Sequence, residues 1–171
     1  KSRVYDVANK TPVTFATNLS SKLKNDVFLK REDMQPIFSF KIRGAYNKIV
    51  NLNQGQQKRG VITASAGNHA QGVANACKKL KVPCFIVMPV TAPEIKVKSV
   101  KRFGSKVFLH GDNFDQASKK ARHMAKEQKL EFIEAFDDPL TIAGQGTIGK
   151  EILDEDNNLD VIFVPVGGGG L

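Results

Sequence analysis

The sequence predicts an α/β fold. Short apolar runs rich in β-branched and aromatic residues recur at Val61–Ser65, Pro83–Pro89, Lys106–His110, Leu130–Phe136 and Asp160–Val166. Between them lie stretches with helical rather than alternating periodicity. Strands separated by helices need crossover connections, so the sheet is expected to be mostly parallel, with helices on both faces.

Taken in order, Val27–Lys30 reads as a strand, and Ile42, Ala45, Tyr46, Ile49 and Val50 form one face of a helix starting close to Lys41. After Val61–Ser65, Ala70, Val73, Ala74 and Cys77 put small apolar groups on one helical face. Phe114, Ala117, Ala121 and Ala125 mark another, with Asp112 or Asn113 placed to cap its first turn. A last helical stretch, Thr141 to Leu153, carries Ile142, Ile148, Ile152 and Leu153 but contains Gly144, Gly146 and Gly149. Glycine costs about 1 kcal/mol in a helix interior, so these three imply close packing against another backbone. The run Val161–Val166 reads as a strand opening into Gly167-Gly168-Gly169-Gly170-Leu171. A helix normally follows such a loop, so the chain is expected to be part of a longer protein.

Composition narrows the function classes. With 171 residues, 41% hydrophobic and 25% charged, the chain is one globular domain or a piece of one; disorder, collagen and coiled coil are excluded. No apolar run approaches the roughly 18 residues of a membrane span. The opening Lys-Ser-Arg-Val-Tyr-Asp shows no secretory signal. Only Cys77 and Cys84 are present, without Cys-x-x-Cys spacing, so neither a disulfide framework nor a metal site is expected and a cytoplasmic compartment is the simplest reading. Lys+Arg outnumber Asp+Glu by 26 to 17, a net charge of +9. The basic residues are scattered over helical faces without interleaved aromatics, which favours a solvated surface over nucleic-acid binding.

Three segments carry residues that secondary structure alone would not select. In Lys30-Arg31-Glu32-Asp33-Met34-Gln35-Pro36 and Ser39-Phe40-Lys41-Ile42-Arg43-Gly44-Ala45, Lys41 stands between two apolar residues at a loop-to-helix junction. Partial desolvation there would favour a neutral amine able to form a Schiff base; spacing alone favours a lysine whose stem packs while its ammonium reaches water. Ser65-Ala66-Gly67-Asn68-His69-Ala70-Gln71-Gly72 follows a strand directly and suits an anion at a helix N-terminus, or is an ordinary turn in which Asn68 caps the helix. His69 is not assigned proton transfer. The tetraglycine loop follows a wholly apolar strand, which favours a phosphate cradle over a flexible linker.

Together these segments resemble the fold-type II pyridoxal-phosphate enzymes, and among them the biosynthetic threonine dehydratases. Similar stretches include Val87-Met88-Pro89, Leu109-His110-Gly111 and Ala143-Gly144-Gln145-Gly146-Thr147. The resemblance implies a tryptophan synthase β-like fold, with 1–49 and 139–171 in the larger cofactor-binding lobe and 50–138 forming a smaller α/β lobe. The rest of the catalytic region and a C-terminal regulatory domain would lie outside this chain. It further implies that Lys41 bonds covalently to pyridoxal 5′-phosphate, that Phe40 lies against the ring, that Asn68 meets its 3′-oxygen, and that Gly167, Gly168, Gly169, Gly170 and Leu171 hold the phosphate. Ser65, Ala66, Gly67, Asn68 and His69 would receive the carboxylate of L-threonine, and Lys41 would take its Cα proton. The products would be 2-oxobutanoate and ammonia, as the first step of isoleucine biosynthesis in a homo-oligomeric enzyme. A serine dehydratase or racemase of the same fold, and a non-catalytic α/β fragment, are the competing readings.

Overall fold

The computed structural model describes residues 3–171. Strands β1 (Val13–Phe15) and β2 (Phe28–Lys30) form an antiparallel pair around helix α1 (Thr17–Leu23), of which the sequence predicts only β2. The main sheet has four parallel strands, β3 (Val61–Ala64), β4 (Cys84–Met88), β5 (Lys106–Leu109) and β6 (Glu131–Phe132), in the order β5-β4-β3-β6. The remaining helices are α2 (Lys41–Val50), α3 (Gln54–Arg59), α4 (Asn68–Leu80), α5 (Glu94–Lys101), α6 (Phe114–Glu127), α7 (Pro139–Gln145) and α8 (Thr147–Glu155).

The period of two along each strand sorts its side chains into two cores. Val61, Cys84, Ile86 and Met88 face α2, α4 and α5, joining Ala45, Ile49, Val73, Cys77 and Val100. Ile62, Ala64 and Val87 point the other way, onto Ala117, Ala121 and Met124 of α6. Each fully buried aliphatic side chain contributes about 1.5–3 kcal/mol, and this double coverage is why β3 and β4 read as continuous apolar runs. The expected helical faces hold in α2 and α4, whereas Phe114 of α6, Ile142 of α7 and Leu153 of α8 are exposed. Asn113, rather than Asp112, caps α6 by accepting from the Gln116 amide at 3.0 Å.

Two sequence expectations are corrected. Asp160–Val166 is not a strand: it is irregular, and Val161, Phe163 and Val166 are exposed. High β-propensity describes a side chain suited to a pleated surface, and among the described residues no neighbouring strand pairs with this run. The stretch Thr141–Leu153 is not one helix either. It breaks at Gly146, which ends α7 and starts α8. Only Gly144 meets another backbone: a Cβ there would lie 2.6 Å from the Gly44 Cα, whereas at Gly149 it would meet nothing within 4 Å.

Behind α2 lies a buried ionic network. The fully buried Arg43 donates to Glu32 at 2.7 and 2.9 Å, to Glu151 at 2.5 and 3.0 Å, to Thr147 at 3.0 Å and to the Asn9 carbonyl at 3.1 Å. Lys30 pairs with Glu151 at 2.8 Å, and Tyr5 donates to it at 2.7 Å. Gln35 donates to Glu32 and to the Asn9 carbonyl. The charged half of the Lys30–Gly44 motif thus anchors the back of the helix that begins with Lys41. Among the described residues no helix is long and apolar enough to cross a membrane, and no group of His, Cys, Asp and Glu could hold a metal ion.

Candidate active site

The chain runs outward from β3 through β4 to β5, then returns to place β6 on the other side of β3. At such a switch point the loops leaving adjacent strands part and open a crevice at their carboxyl ends. The segment after β3, Ser65–Gly67, and the segment after β6, Ile133–Phe136, both emerge there.

After β3 the backbone turns sharply, with the Gly67 amide donating to Ser65 Oγ at 3.1 Å. Helix α4 then starts at Asn68 with Gly67 as its N-cap, and no side chain caps it. Asn68 is therefore not the capping group of an ordinary turn: its side chain is exposed and makes no hydrogen bond among the described residues. The first helical bond runs from the Gln71 amide to the Gly67 carbonyl, so the amides of Asn68, His69 and Ala70 precede it and have no acceptor within the helix. A Cβ at Gly67 would meet nothing within 4 Å, which leaves the approach to those amides clear.

Lys41 opens α2 opposite this turn. Gly72 of α4 packs on its backbone, where a Cβ would lie 2.8 Å from the Lys41 carbonyl oxygen, and glycine is what permits that approach. The ε-amine donates to the Ala135 carbonyl at 2.8 Å and lies 5.1 Å from the Phe40 ring centre. Burial holds its pKa below the ordinary lysine range. Lys30 is paired with Glu151, and Lys48 with Asp138 and Glu131. Lys41 has a neutral carbonyl and, among the described residues, no carboxylate, so no opposite charge offsets the cost of desolvating its own.

His69 points inward rather than into the crevice. Its Nε2 lies 3.1 Å from the Ile133 carbonyl, which also accepts from Thr63 Oγ1 at 2.8 Å; Nε2 therefore carries the proton, and Nδ1 is an acceptor without a partner among the described residues. Burial pushes the His69 pKa down to about 4, against the Ile133 carbonyl and with help from the charge on Lys41. At neutral pH the ring is uncharged, and only the backbone amide of His69 is left for an anion.

A pH dependence of stability follows. Between about 6.5 and 4 the unfolded chain binds a proton at this histidine that the folded chain does not, so stability is fully present above 6.5 and falls as the pH drops through that window. The loss reaches about 3 kcal/mol at most. Urea midpoints measured from pH 7 to 4.5 should show this slope, and His69→Gln should flatten it; an unchanged slope would assign the titration elsewhere.

The tetraglycine segment reaches the same place. Cβ atoms at Gly168 and Gly170 would fall 2.3 Å from Cγ of Phe136 and 2.7 Å from its Cα, while Gly167 and Gly169 face open space. Gly169 adopts φ +79°, a left-handed conformation suited to glycine. Lys41, the α4 turn and the glycine loop are thus gathered on Ile133–Phe136. Leu171 is exposed at the loop's end. Sequence reasoning missed Ile133, Ala135 and Phe136, two of which act through carbonyl groups that no residue type advertises. The signal is the run Leu130–Phe136, expected as one strand: only Glu131–Phe132 pairs with β3, and Ile133–Phe136 continues from its carboxyl end into the crevice.

A family model described as pyridoxal-phosphate dependent enzyme matches residues 4–171. Threonine dehydratase from Nicotiana attenuata is 56% identical over 170 residues, covering 99% of this chain and 28% of that protein. The processed form of threonine deaminase isoform 2 from Solanum lycopersicum superposes with a TM-score of 0.95 at 49% identity, over 98% of this chain and 46% of that one. Maize serine racemase gives 0.94 at 35% identity, over 99% and 51%. The chain therefore spans less than a third of that curated relative and about half of each solved structure.

Proposed function

This chain belongs to the pyridoxal-phosphate dependent enzymes, and we propose that it carries the lysine of a threonine dehydratase active site, an ammonia-lyase converting L-threonine to 2-oxobutanoate and ammonia. The resemblance read from the motifs and the expected α/β class are borne out. The reading rests on one observation: Lys41, a half-buried lysine with no carboxylate partner among the described residues, bonds to Ala135, whose neighbour Phe136 lies against the glycine loop.

These residues fit pyridoxal 5′-phosphate, since they offer an amine, open backbone amides and an exposed side-chain amide. Bound there, the group would supply an electron sink for the charge left when a Cα–H bond breaks. Lys41 would hold it covalently and, with its amine free, take the Cα proton. Phe40 would cover one face of the ring, and Asn68 would hydrogen-bond its 3′-oxygen. The amides of Gly167 to Gly170, with Leu171, would grip the anionic end, and the Ser65–His69 turn would bind the substrate carboxylate at the start of α4. The division into 50–138 and flanking lobe segments belongs to the same proposal, supported by the confinement of the parallel sheet to residues 61–132. So do homo-oligomeric assembly, allosteric control, a cytoplasmic location and a place at the start of isoleucine biosynthesis.

A serine-directed enzyme is the second reading, favoured by the close superposition on maize serine racemase. The complete natural polypeptide, incubated with pyridoxal 5′-phosphate and reduced with borohydride, should yield a single modified lysine at position 41 by mass spectrometry. Turnover should be faster on threonine than on serine. Modification elsewhere would overturn the site, and a reversed preference would favour the second reading.

A further inference from the structure

The glycine loop has one wall. Phe136 is 43% exposed and belongs to none of the buried apolar clusters, so its ring is not core filling. Its contact is with the loop: a Cβ at Gly168 would meet the ring atoms Cγ, Cδ1 and Cδ2 at 2.3, 2.4 and 2.6 Å, and one at Gly170 would meet the Phe136 Cα, Cβ and carbonyl oxygen at 2.7 Å. On their other side, Gly167 and Gly169 meet nothing. Four consecutive glycines have the largest conformational freedom a backbone can have, and the ring restricts it from one direction. The residue before it, Ala135, holds the Lys41 amine. One dipeptide therefore touches both the amine and the loop.

From this we infer that Phe136 is a positioning residue for the glycine loop, holding its amides in the arrangement that grips the phosphate end of the cofactor. The inference rests on the pyridoxal-phosphate reading above. It does not require Phe136 to touch the cofactor or the substrate.

The test compares affinities of the complete natural polypeptide for pyridoxal 5′-phosphate and for pyridoxal, which lacks the phosphate. Phe136→Ala should weaken pyridoxal 5′-phosphate about tenfold, the scale of releasing one or two ordered loop residues, and leave pyridoxal unchanged. Borohydride should still map to Lys41 at saturation, and Phe136→Tyr, which keeps the ring, should restore affinity. A second arm uses the loop itself. Gly168→Ala collides with the ring, so its cost should shrink in the Phe136→Ala background; Gly170→Ala collides with backbone and should cost the same in both. Thermal unfolding checks each variant, and Phe136→Leu replaces Phe136→Ala if the latter does not fold. Equal weakening of both ligands, or an unchanged Gly168→Ala cost, would overturn the inference while Lys41 trapping still stands. A wild type that shows neither trapping nor preference for the phosphate overturns the cofactor reading and this inference with it.

Discussion

Lys41→Ala is expected to lower threonine turnover by about a thousandfold or more, the scale of losing a group that serves as both nucleophile and base. Stability should change by only about 1 kcal/mol. The two expectations separate because of how the amine is held. Among the described residues its one hydrogen bond goes to the neutral Ala135 carbonyl, and burial already disfavours its charge, so truncation removes an interaction and a desolvation cost together. The same environment raises the fraction of free amine at neutral pH above that of an exposed lysine. Lys41→Arg provides the second arm: a guanidinium keeps the positive charge but does not deprotonate, so it should be as inactive as alanine if the nucleophilic amine is what matters. Keto-acid release and urea midpoints on the complete natural polypeptide decide it. Turnover within tenfold of wild type in either variant would remove Lys41 from the chemistry.

What could be read in advance depended on whether one residue's type or a pairing of distant residues carried the information. Helices α2 and α4 were legible because Ile42, Ala45, Tyr46 and Ile49, and Ala70, Val73, Ala74 and Cys77, repeat at the helical period, and all eight are buried. Strands β3 and β4 were legible because burial on both faces makes their runs continuous, whereas the edge strand β5 is mostly exposed and was legible only from its apolar run Val107–Leu109. Helix α3 has no apolar stripe and is set by the reciprocal capping of Asn53 and Gln56, a local side-chain signal that periodicity does not see. The segment Val161–Val166 has the composition of a strand, yet a strand also needs a partner edge, which composition does not contain. The candidate site divides the same way. Lys41, Asn68 and the four glycines stood out because secondary structure alone does not demand them. The Ile133 and Ala135 carbonyls could not stand out, and Phe136 gains its meaning only from Gly168 and Gly170, more than thirty positions later.

The largest stability effect is expected behind the site, where Glu151→Ala should cost about 3–5 kcal/mol. Glu151 is 2% exposed and receives Arg43, Lys30 and Tyr5. Its removal leaves Arg43 with Glu32 and Lys30 with only the Thr11 carbonyl among the described residues, and an uncompensated buried charge costs more than the lost pair was worth. Because the cost comes from charge imbalance rather than from loss of the pair, Arg43→Met combined with Glu151→Leu should cost less than the sum of the two single changes, since it removes one cation and one carboxylate together. Acid should mimic the single variant. Burial alone would raise the Glu151 pKa, but hydrogen bonds from Arg43, Lys30 and Tyr5 outweigh it and hold the carboxyl below the usual glutamate range. A depressed carboxylate stabilises the fold above its unfolded pKa of about 4.3, and that contribution is lost as the pH falls through the folded value. This loss lies below the window assigned to His69, so urea midpoints carried down to pH 3 should show a second descent that Glu151→Ala abolishes. If the single variants prove additive, or if the acid descent survives in Glu151→Ala, the network is not what anchors the back of α2.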